Sequence, residues 1–448
     1  MKSFVNKQSE QVTWNDSLPI GWEFIRLKWT TIQIANGIWG DEPNGSSDDI
    51  ICVRVADFDR TAFKVNLNKP TLRNIPYSQR YGRLLKSGDL LIEKSGGGEL
   101  QPVGTVAIYD HNNPAVCSNF VARVEVREGY VPRFLTYLHA HLYSIKVNTR
   151  SIKQTTGIQN LDSQSYFDEF AGVPPLETQK LIATFLDRKT AAIDTLIAKK
   201  QRLIQLLEEK CKVLINQAVT KGSNPNVPMK DSGIPWIGKI PEHWEVKRLK
   251  YLTTKIIDGT HFTPTYIDSG IPFLRVTDIH HNHIDWSTVK FISEIEHFEL
   301  SKRCKVEKND VLLSKNGTIG ITFVVNFDRP VSIFVSLCLL KLRKNILLPK
   351  FFASLFQTYA IEEQIAEGSK KNTVTNLHLN KICEFWIPVP PIDEQQIILD
   401  EINKAGQQIK KLIGSIELQI EKLQEYRRSL ITAAVTGKLN IKEVETNV

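Results

Sequence analysis

A chain of 448 residues, 42% hydrophobic and 24% charged, is long enough for two or three buried cores and has the make-up of a globular protein. No run approaches the roughly 18 apolar residues that cross a bilayer, and the opening MKSFVNKQSEQ lacks the apolar centre of a signal peptide; the expectation is a cytoplasmic protein with no membrane attachment. The net charge of +8 favours a polyanionic partner, while six scattered cysteines (Cys52, Cys117, Cys211, Cys304, Cys338, Cys383) form no C-x-x-C pair and read as small buried residues rather than as a disulfide framework or zinc site.

In chain order, LPIGWEFIRLK (18–28) leads into a mixed region. There SGDLLIEKSG (87–96) reads as a strand running into the glycine-rich loop KSGGGELQPVG (94–104), and VPRFLTYLHAHLYS is a helical patch. VPPLETQ (173–179) ends that region. Residues 176–221 contain no proline and start with Glu177, which suits a helix N-terminus just after two prolines, so a long helix is predicted. The same order then recurs. IPEHWEVKRLK (240–250) is followed by the strands IPFLRV (271–276), DVLLS (310–314) and ITFVV (321–325), the helical patch LPKFFASLFQTYAIEEQIAEG, VPPIDEQ (389–395) and a second proline-free run over 392–436.

The two halves align almost without gaps. Asn160-Leu161 matches Asn376-Leu377, Val173-Pro174-Pro175 matches Val389-Pro390-Pro391, Gln179 matches Gln395, and Ala218-Val219-Thr220 matches Ala434-Val435-Thr436, all at one offset. Upstream, Arg54-Val55-Ala56-Asp57 matches Arg275-Val276-Thr277-Asp278, and the glycine loop of the first copy is five residues longer than KNGTIG (315–320). The chain is two copies of one unit. In the second long helix Ile402, Ile409, Ile416, Leu423 and Leu430 recur every seventh residue; in the first, Leu186, Ile193, Leu207 and Leu214 do so, with Lys200 breaking the run. This is coiled-coil spacing, and two equivalent stripes can cover each other. About 45 residues at 1.5 Å rise make a rod of roughly 65 Å.

With its P-x-x-W-E segments, its V-P-P-[LI]-[ED]-x-Q closures and its long helices ending in A-V-T, the chain resembles the specificity subunit of a type I restriction-modification enzyme, from about Leu18 to Lys438. The stretch DGTHFTPTYIDSGIPFLRVTDI (258–279) is similar to the start of many target-recognition domains of that family. The resemblance implies an α+β fold with two tandem mixed α/β recognition domains, each followed by a long helix, the helices pairing as an antiparallel coiled coil. The corresponding division is 1–173 and 223–389 for the recognition domains, and 174–222 and 390–448 for the helical spacers. It further implies that each domain reads half of a bipartite site in double-stranded DNA. Two modification subunits would dock on the helices, with restriction subunits joining through the complex. S-adenosylmethionine, ATP and Mg would belong to those partners, and this chain would bind none of them.

The residues agree with a non-catalytic reading. Val precedes each Pro-Pro, where an amino-methyltransferase needs Asp, Asn or Ser, and no G-x-x-x-x-G-K-[ST] phosphate loop occurs. Asp89, Glu93 and Lys94 lack the spacing of a metal nuclease, and Ser314 replaces Glu93 in the other copy; Asp89 and Asp310 read as turn residues before a strand. HHNH (280–283) has no counterpart and reads as a solvated or DNA-facing loop rather than a metal site. Candidate DNA contacts are Lys94, Ser95 and Gly96 in one glycine loop and Lys315, Asn316 and Gly317 in the other: ammonium for phosphate or guanine, Asn for adenine, glycine for close backbone approach. The plain alternative is a hairpin with a solvated lysine. Arg54 and Arg275 are read either as DNA contacts or as ion-pair partners of Asp57 and Asp278. Trp39, Thr260 and His261 lie where GIWGDEPNGSSDD (37–49) and GTHFTPTYIDSG (259–270) differ almost completely, and each reads equally as a contact or as a turn or packing residue. Other classes in play are a DNA-binding regulator or interaction scaffold with a coiled-coil stalk, and an enzyme with an unrecognised site.

Overall fold

The computed structural model describes residues 18–154, 157–280, 283–369 and 376–441. The chain forms two compact units, one from residues 1–200 with 418–448, the other from 201–417, so each unit takes the start of one long helix and the end of the other. Both helices form as predicted, Leu176–Lys221 and Ile392–Val435. No helix among the described residues is long and apolar enough to cross a membrane.

In the first unit a mixed sheet runs in the order Thr31–Asn36, Val121–Val126, Leu90–Glu93, Val106–Ile108, Lys64–Val65, Phe58–Asp59, with a smaller sheet of Ala115–Cys117, Asp49–Val53 and Leu72–Asn74. In the second, Thr253–Asp258, Leu337–Leu342, Val311–Ser314 and Thr322–Val324 repeat the first four strands in the same order. Register repeats as well: Val121 faces Glu93 where Leu337 faces Ser314, and Ile92 faces Val106 where Leu313 faces Thr322. The five-residue difference in length is therefore confined to the loop after the Leu90–Glu93 or Val311–Ser314 strand. The buried aspartates just before these strands do more than turn the chain. Asp89 accepts from the Lys86 backbone N–H at 2.7 Å and pairs with Arg123 at 2.6 Å; Asp310 accepts from the Glu307 N–H at 2.8 Å and pairs with Lys341 at 2.6 Å. Each ties its turn to the neighbouring strand.

The repeated sequence landmarks are all joints between a unit and the helices. Gln179, in the first turn of its helix, accepts from the Val131 N–H at 2.9 Å and donates to the Pro174 carbonyl at 2.9 Å. Gln395 accepts from the Leu348 N–H at 2.8 Å and donates to the Ile346 and Pro390 carbonyls at 2.8 and 2.9 Å. Val131 and Leu348 are the N-caps of the helices Pro132–Ser144 and Pro349–Leu355, so each buried amide ties the start of a long helix to the start of a domain helix. The P-x-x-W turn receives the far end of a long helix. In the second unit fully buried Trp244 donates its indole N–H to Glu394 at 3.1 Å and packs against Gly222; in the first, Trp22 and Pro19 pack against Gly437. A Cβ on Gly437 would lie 2.3 Å from the Pro19 ring, and its positive φ is unfavourable for other residues.

Within the first unit the two helices run antiparallel. Asp194 pairs with Arg427 at 2.9 Å and Lys200 donates to Gln419 at 2.5 Å, so rising numbers on one helix meet falling numbers on the other. Ile182, Leu186 and Ile193 share a core with Leu430, Ile431 and Ala434. In the second unit Val219 and Ala218 share a core with Ile398 and Ile402. The seventh-residue stripe on the second helix faces inward along its length. On the first it drifts: Leu214 is 37% exposed and Ile215 takes the inward side. Lys200 does not break the seam but crosses it by hydrogen bonding. Cys52, Cys117, Cys304 and Cys338 are buried, whereas Cys211 and Cys383 are half-buried; all six are free thiols.

Replacing Gln395 by Ala leaves three backbone groups without their partner, and unmet buried groups cost about 1–3 kcal/mol each. A loss on the order of 3 kcal/mol is expected in urea unfolding of the full chain, with a smaller loss for Gln179→Ala. Gln395→Glu keeps the shape but removes the amide donor, and it should not rescue.

Candidate nucleic-acid interface

Three loops meet at corresponding places in each unit: the end of the first sheet strand, the glycine loop and the strand or bridge that carries Asn160 or Asn376. Their approach depends on one glycine in each copy. A Cβ on Gly37 would sit 2.1 Å from the Ser118 carbonyl oxygen, and one on Gly259 would sit 2.0 Å from that of Ile333, so no other residue fits.

In the first unit Lys94 is partly exposed and donates to Asn36 Oδ1 at 2.8 Å. Ser95–Gly96 pairs with the Gln159–Leu161 strand, and the Ser95 hydroxyl donates to Asn160 Oδ1 at 2.6 Å. Gly96, at φ 117°, turns the loop away after that pairing. Beyond it stands the extra length of this copy, with Leu100 fully exposed at the tip. Glu93, next to Lys94, is buried against Arg60 at 3.0 Å. Burial pushes its carboxyl above the usual range, against the pull of Arg60 and Thr105, so it supports the loop from inside.

The second unit has the same frame with other side chains. Lys315 is only 5% exposed and faces Asp258, the counterpart of Asn36, at 3.4 Å. Asp258 also meets Arg303 at 2.7 Å and His261 at 3.2 Å. Burial pushes the Asp258 carboxyl upward, but Lys315 and His261 hold it below the usual carboxylate range. The Lys315 ammonium is thus turned inward, unlike that of Lys94, a difference set by one charged neighbour. Asn316 bridges Asn376, and both line a recess of about 650 Å³ with Asp258, His261, Lys315 and His378. Gly317, at φ 70°, is exposed at the turn.

The remaining candidates separate. Arg54 pairs with Asp57 at 3.0 Å and Arg275 with Asp278 at 2.7 Å, each Asp also accepting the arginine's backbone N–H; these hydrogen bonds hold both guanidinium groups above their ordinary pKa. The ion-pair reading describes both, although Arg54 keeps a partly exposed edge. Trp39 lies under the Arg73 guanidinium at 4.4 Å, and Arg73 also pairs with Glu42, so the strand Leu72–Asn74 braces this loop. Thr260 is buried, its backbone exchanging bonds with Ile333 and Val335; its hydroxyl stays within its own turn. His261 is largely exposed beside Asp258. Of HHNH, residues 281 and 282 lie outside the described residues, and His280 and His283 stack at 6.1 Å. Among the described residues no group of three ligands could hold a metal. Asn36, Asp258, Asn160 and Asn376 were not among the candidates. The matched N-L dipeptides marked the two asparagines, but only the fold brings them to the glycine loops.

A shared frame that carries two dissimilar sets of polar loops is the layout of a protein that recognises two different targets with one architecture. The family model for the type I restriction modification DNA specificity domain matches residues 69–206 and 241–422, well over half of the chain, and the chain belongs to that family. It is similar to the type I restriction enzyme EcoBI specificity subunit of Escherichia coli, with 27% identity over 341 residues, 73% of this chain and 70% of the relative. It is also similar to the MjaVIII specificity subunit of Methanocaldococcus jannaschii, with 23% identity over 311 residues, 67% and 70% of the two chains. A chain from a study of complex assembly and conformational transition of the type I R-M system has a like fold, at TM-score 0.65 and 20% identity, covering 94% of this chain and 100% of the other. So does the HsdS subunit from Thermoanaerobacter tengcongensis, at TM-score 0.56 and 19% identity, covering 94% and 98%. The chain is a specificity subunit: it is non-catalytic, and the catalytic activities sit on its partner subunits. The regulator, bare scaffold and self-sufficient enzyme readings are set aside.

The two lysines should respond differently. Lys94→Ala is expected to weaken DNA binding by the assembled complex and to lower the salt slope by about one counter-ion. Lys315→Met should leave that slope unchanged while lowering thermal stability by on the order of 1–3 kcal/mol, because Asp258 loses a buried partner. Salt titrations of binding alongside thermal unfolding distinguish the two.

Proposed function

We propose that residues 1–173 and 223–389 each read one half of a bipartite site in double-stranded DNA, and that the helical segments 174–222 and 390–448 set the unspecified spacer between the halves. Two modification subunits dock on the equivalent helical surfaces, and restriction subunits join through the complex, in the cytoplasm where the DNA lies. S-adenosylmethionine, ATP and Mg belong to the partners. The observation that carries this reading is that strand order, register and joints recur in both copies while the loops over the glycine turns do not. Two half-sites of different sequence need that combination. DNA-facing parts go to Lys94, Ser95 and Gly96 in the first unit and to His261, Asn316 and Gly317 in the second. Trp39, Arg54, Thr260, Arg275 and Lys315 shape and hold the loops from behind.

Duplex DNA has two-fold axes perpendicular to its length. Two like domains meeting inverted half-sites are related by such an axis, and helices attached to them equivalently then run antiparallel. The Asp194–Arg427 and Lys200–Gln419 contacts fit this arrangement. Deleting 197–203 together with 413–419 removes one heptad from each helix and shortens the rod by roughly 10 Å, near three base pairs at about 3.4 Å each. Methylome sequencing of cells carrying the variant should show unchanged half-sites with a spacer contracted by about three base pairs. An active variant with the original spacer would show that the helices are not the ruler.

A further inference from the structure

The glutamines and aspartates that tie the frame together in both copies are buried, and folding accounts for them. One shared cluster lies on the surface instead. In the first unit the ribbon of Glu23–Arg26 and Phe170–Val173 sets Arg26 opposite Phe170, with the guanidinium over the ring at 5.2 Å. Asp168, just before the second of these strands, meets Arg26 at 3.1 Å and Lys28 at 2.7 Å. In the second unit the ribbon of Glu245–Arg248 and Trp386–Val389 sets Arg248 opposite Trp386, 4.5 Å over its ring, and Glu384 pairs with Arg248 and, at 2.7 Å, with Lys250. All six charged side chains are 37–45% exposed. Next in sequence to the lysines stand Trp29 and its match Tyr251, both more than half exposed, and the Lys250 ammonium lies 5.3 Å from the Tyr251 ring.

Folding does not account for this cluster. The inner side of the first ribbon, Ile25, Ala171 and Val173, already joins the core of its unit, and exposed ion pairs add little to stability. A surface kept alike on two domains whose recognition loops differ suits a partner that meets both domains in the same way. Phosphate fits it poorly, because a carboxylate stands between the two cations of each cluster and repels another anion. Exposed aromatic rings with arginine are the make-up of the energetic centre of a protein interface. Of the partners proposed above, the modification subunit is the one that docks directly on this chain twice. Resting on the reading that two modification subunits bind one chain, we infer that each ribbon cluster is a docking point for one of them, in addition to the helical surface. The ribbon leads through Pro174-Pro175, or Pro390-Pro391, straight into the root of a long helix, so the cluster continues the surface assigned to the same subunit. Two cations against one carboxylate leave each cluster with one net positive charge. The segment it takes therefore presents an apolar side chain to the rings with an acidic residue beside it.

The test titrates the full chain with its modification subunits and follows both docking steps by native mass spectrometry. Arg26→Ala leaves Asp168 paired with Lys28 and should weaken one docking step about tenfold or more, with the other as in the wild-type chain. Arg26→Ala together with Arg248→Ala should weaken both. Trp29→Ala and Tyr251→Ala remove no ion pair and should each weaken the step of their own unit, with thermal unfolding of the free chain unchanged. Wild-type docking by the folded arginine and aromatic variants would overturn the inference and leave the two-subunit reading standing. Wild-type docking together with weaker DNA binding and a lower salt slope would also overturn it and assign the clusters to phosphate. A wild-type chain that takes up one modification subunit at saturation would overturn the two-subunit reading and the inference with it.

Discussion

The glutamine in the first turn of each long helix is the joint on which the rest of the architecture depends. A helix tens of ångströms long amplifies any looseness at its root, and an amide with both its donor and acceptor sides in use fixes that root against the N-cap of a domain helix. Two prolines ahead of the helix narrow the approach of the chain, since each ring sets φ and neither has an N–H to satisfy. At its other end the helix stops at a glycine against the tryptophan of a P-x-x-W turn. Each unit therefore grips one helix by its root and the other by its tip, and both grips use buried contacts.

Those joints explain which parts of the duplication stayed alike. The aspartates that bind their own turns and reach an Arg or Lys on the next strand keep the sheet edge in place, and the cation comes from different positions on that strand, Arg123 in one copy and Lys341, which matches Glu125, in the other. The glycines against Ser118 and Ile333 admit no alternative. A length change of five residues is absorbed by one loop because the strands on either side are held in register by their neighbours. Variation is thereby channelled to surface loops without reaching the core.

The fold was largely readable in the amino-acid sequence because its signals are local or repeated. Pro-Pro starts, proline-free runs and heptad stripes each depend on nearby residues, and the second copy checks the first. Seventh-residue spacing does not by itself settle which side chains are covered: the stripe stays inward on the second helix, whereas Leu214 on the first is 37% exposed. Arg54 and Arg275 could be read as ion-pair partners since Asp57 and Asp278 stand three residues away. The state of Lys315 could not, because Asp258 reaches it from elsewhere in the chain and is itself held by Arg303. Thr260 offers a hydroxyl in a variable stretch, and only the bridge to the 333–335 segment shows that it is buried.

Comparison of the copies separates frame from function more sharply than either copy alone. A buried polar side chain that is satisfied in both units is explained by folding. At the glycine loops the first copy closes Ser95 on Asn160, where the second leaves the side-chain oxygens of Asn316 and Asn376 unpaired. Unmet groups of this kind detract from stability, and a domain can carry them only where other contacts supply a margin. The buried glutamines, the paired aspartates and the Trp–Gly contacts supply it on the side of the fold that both copies share.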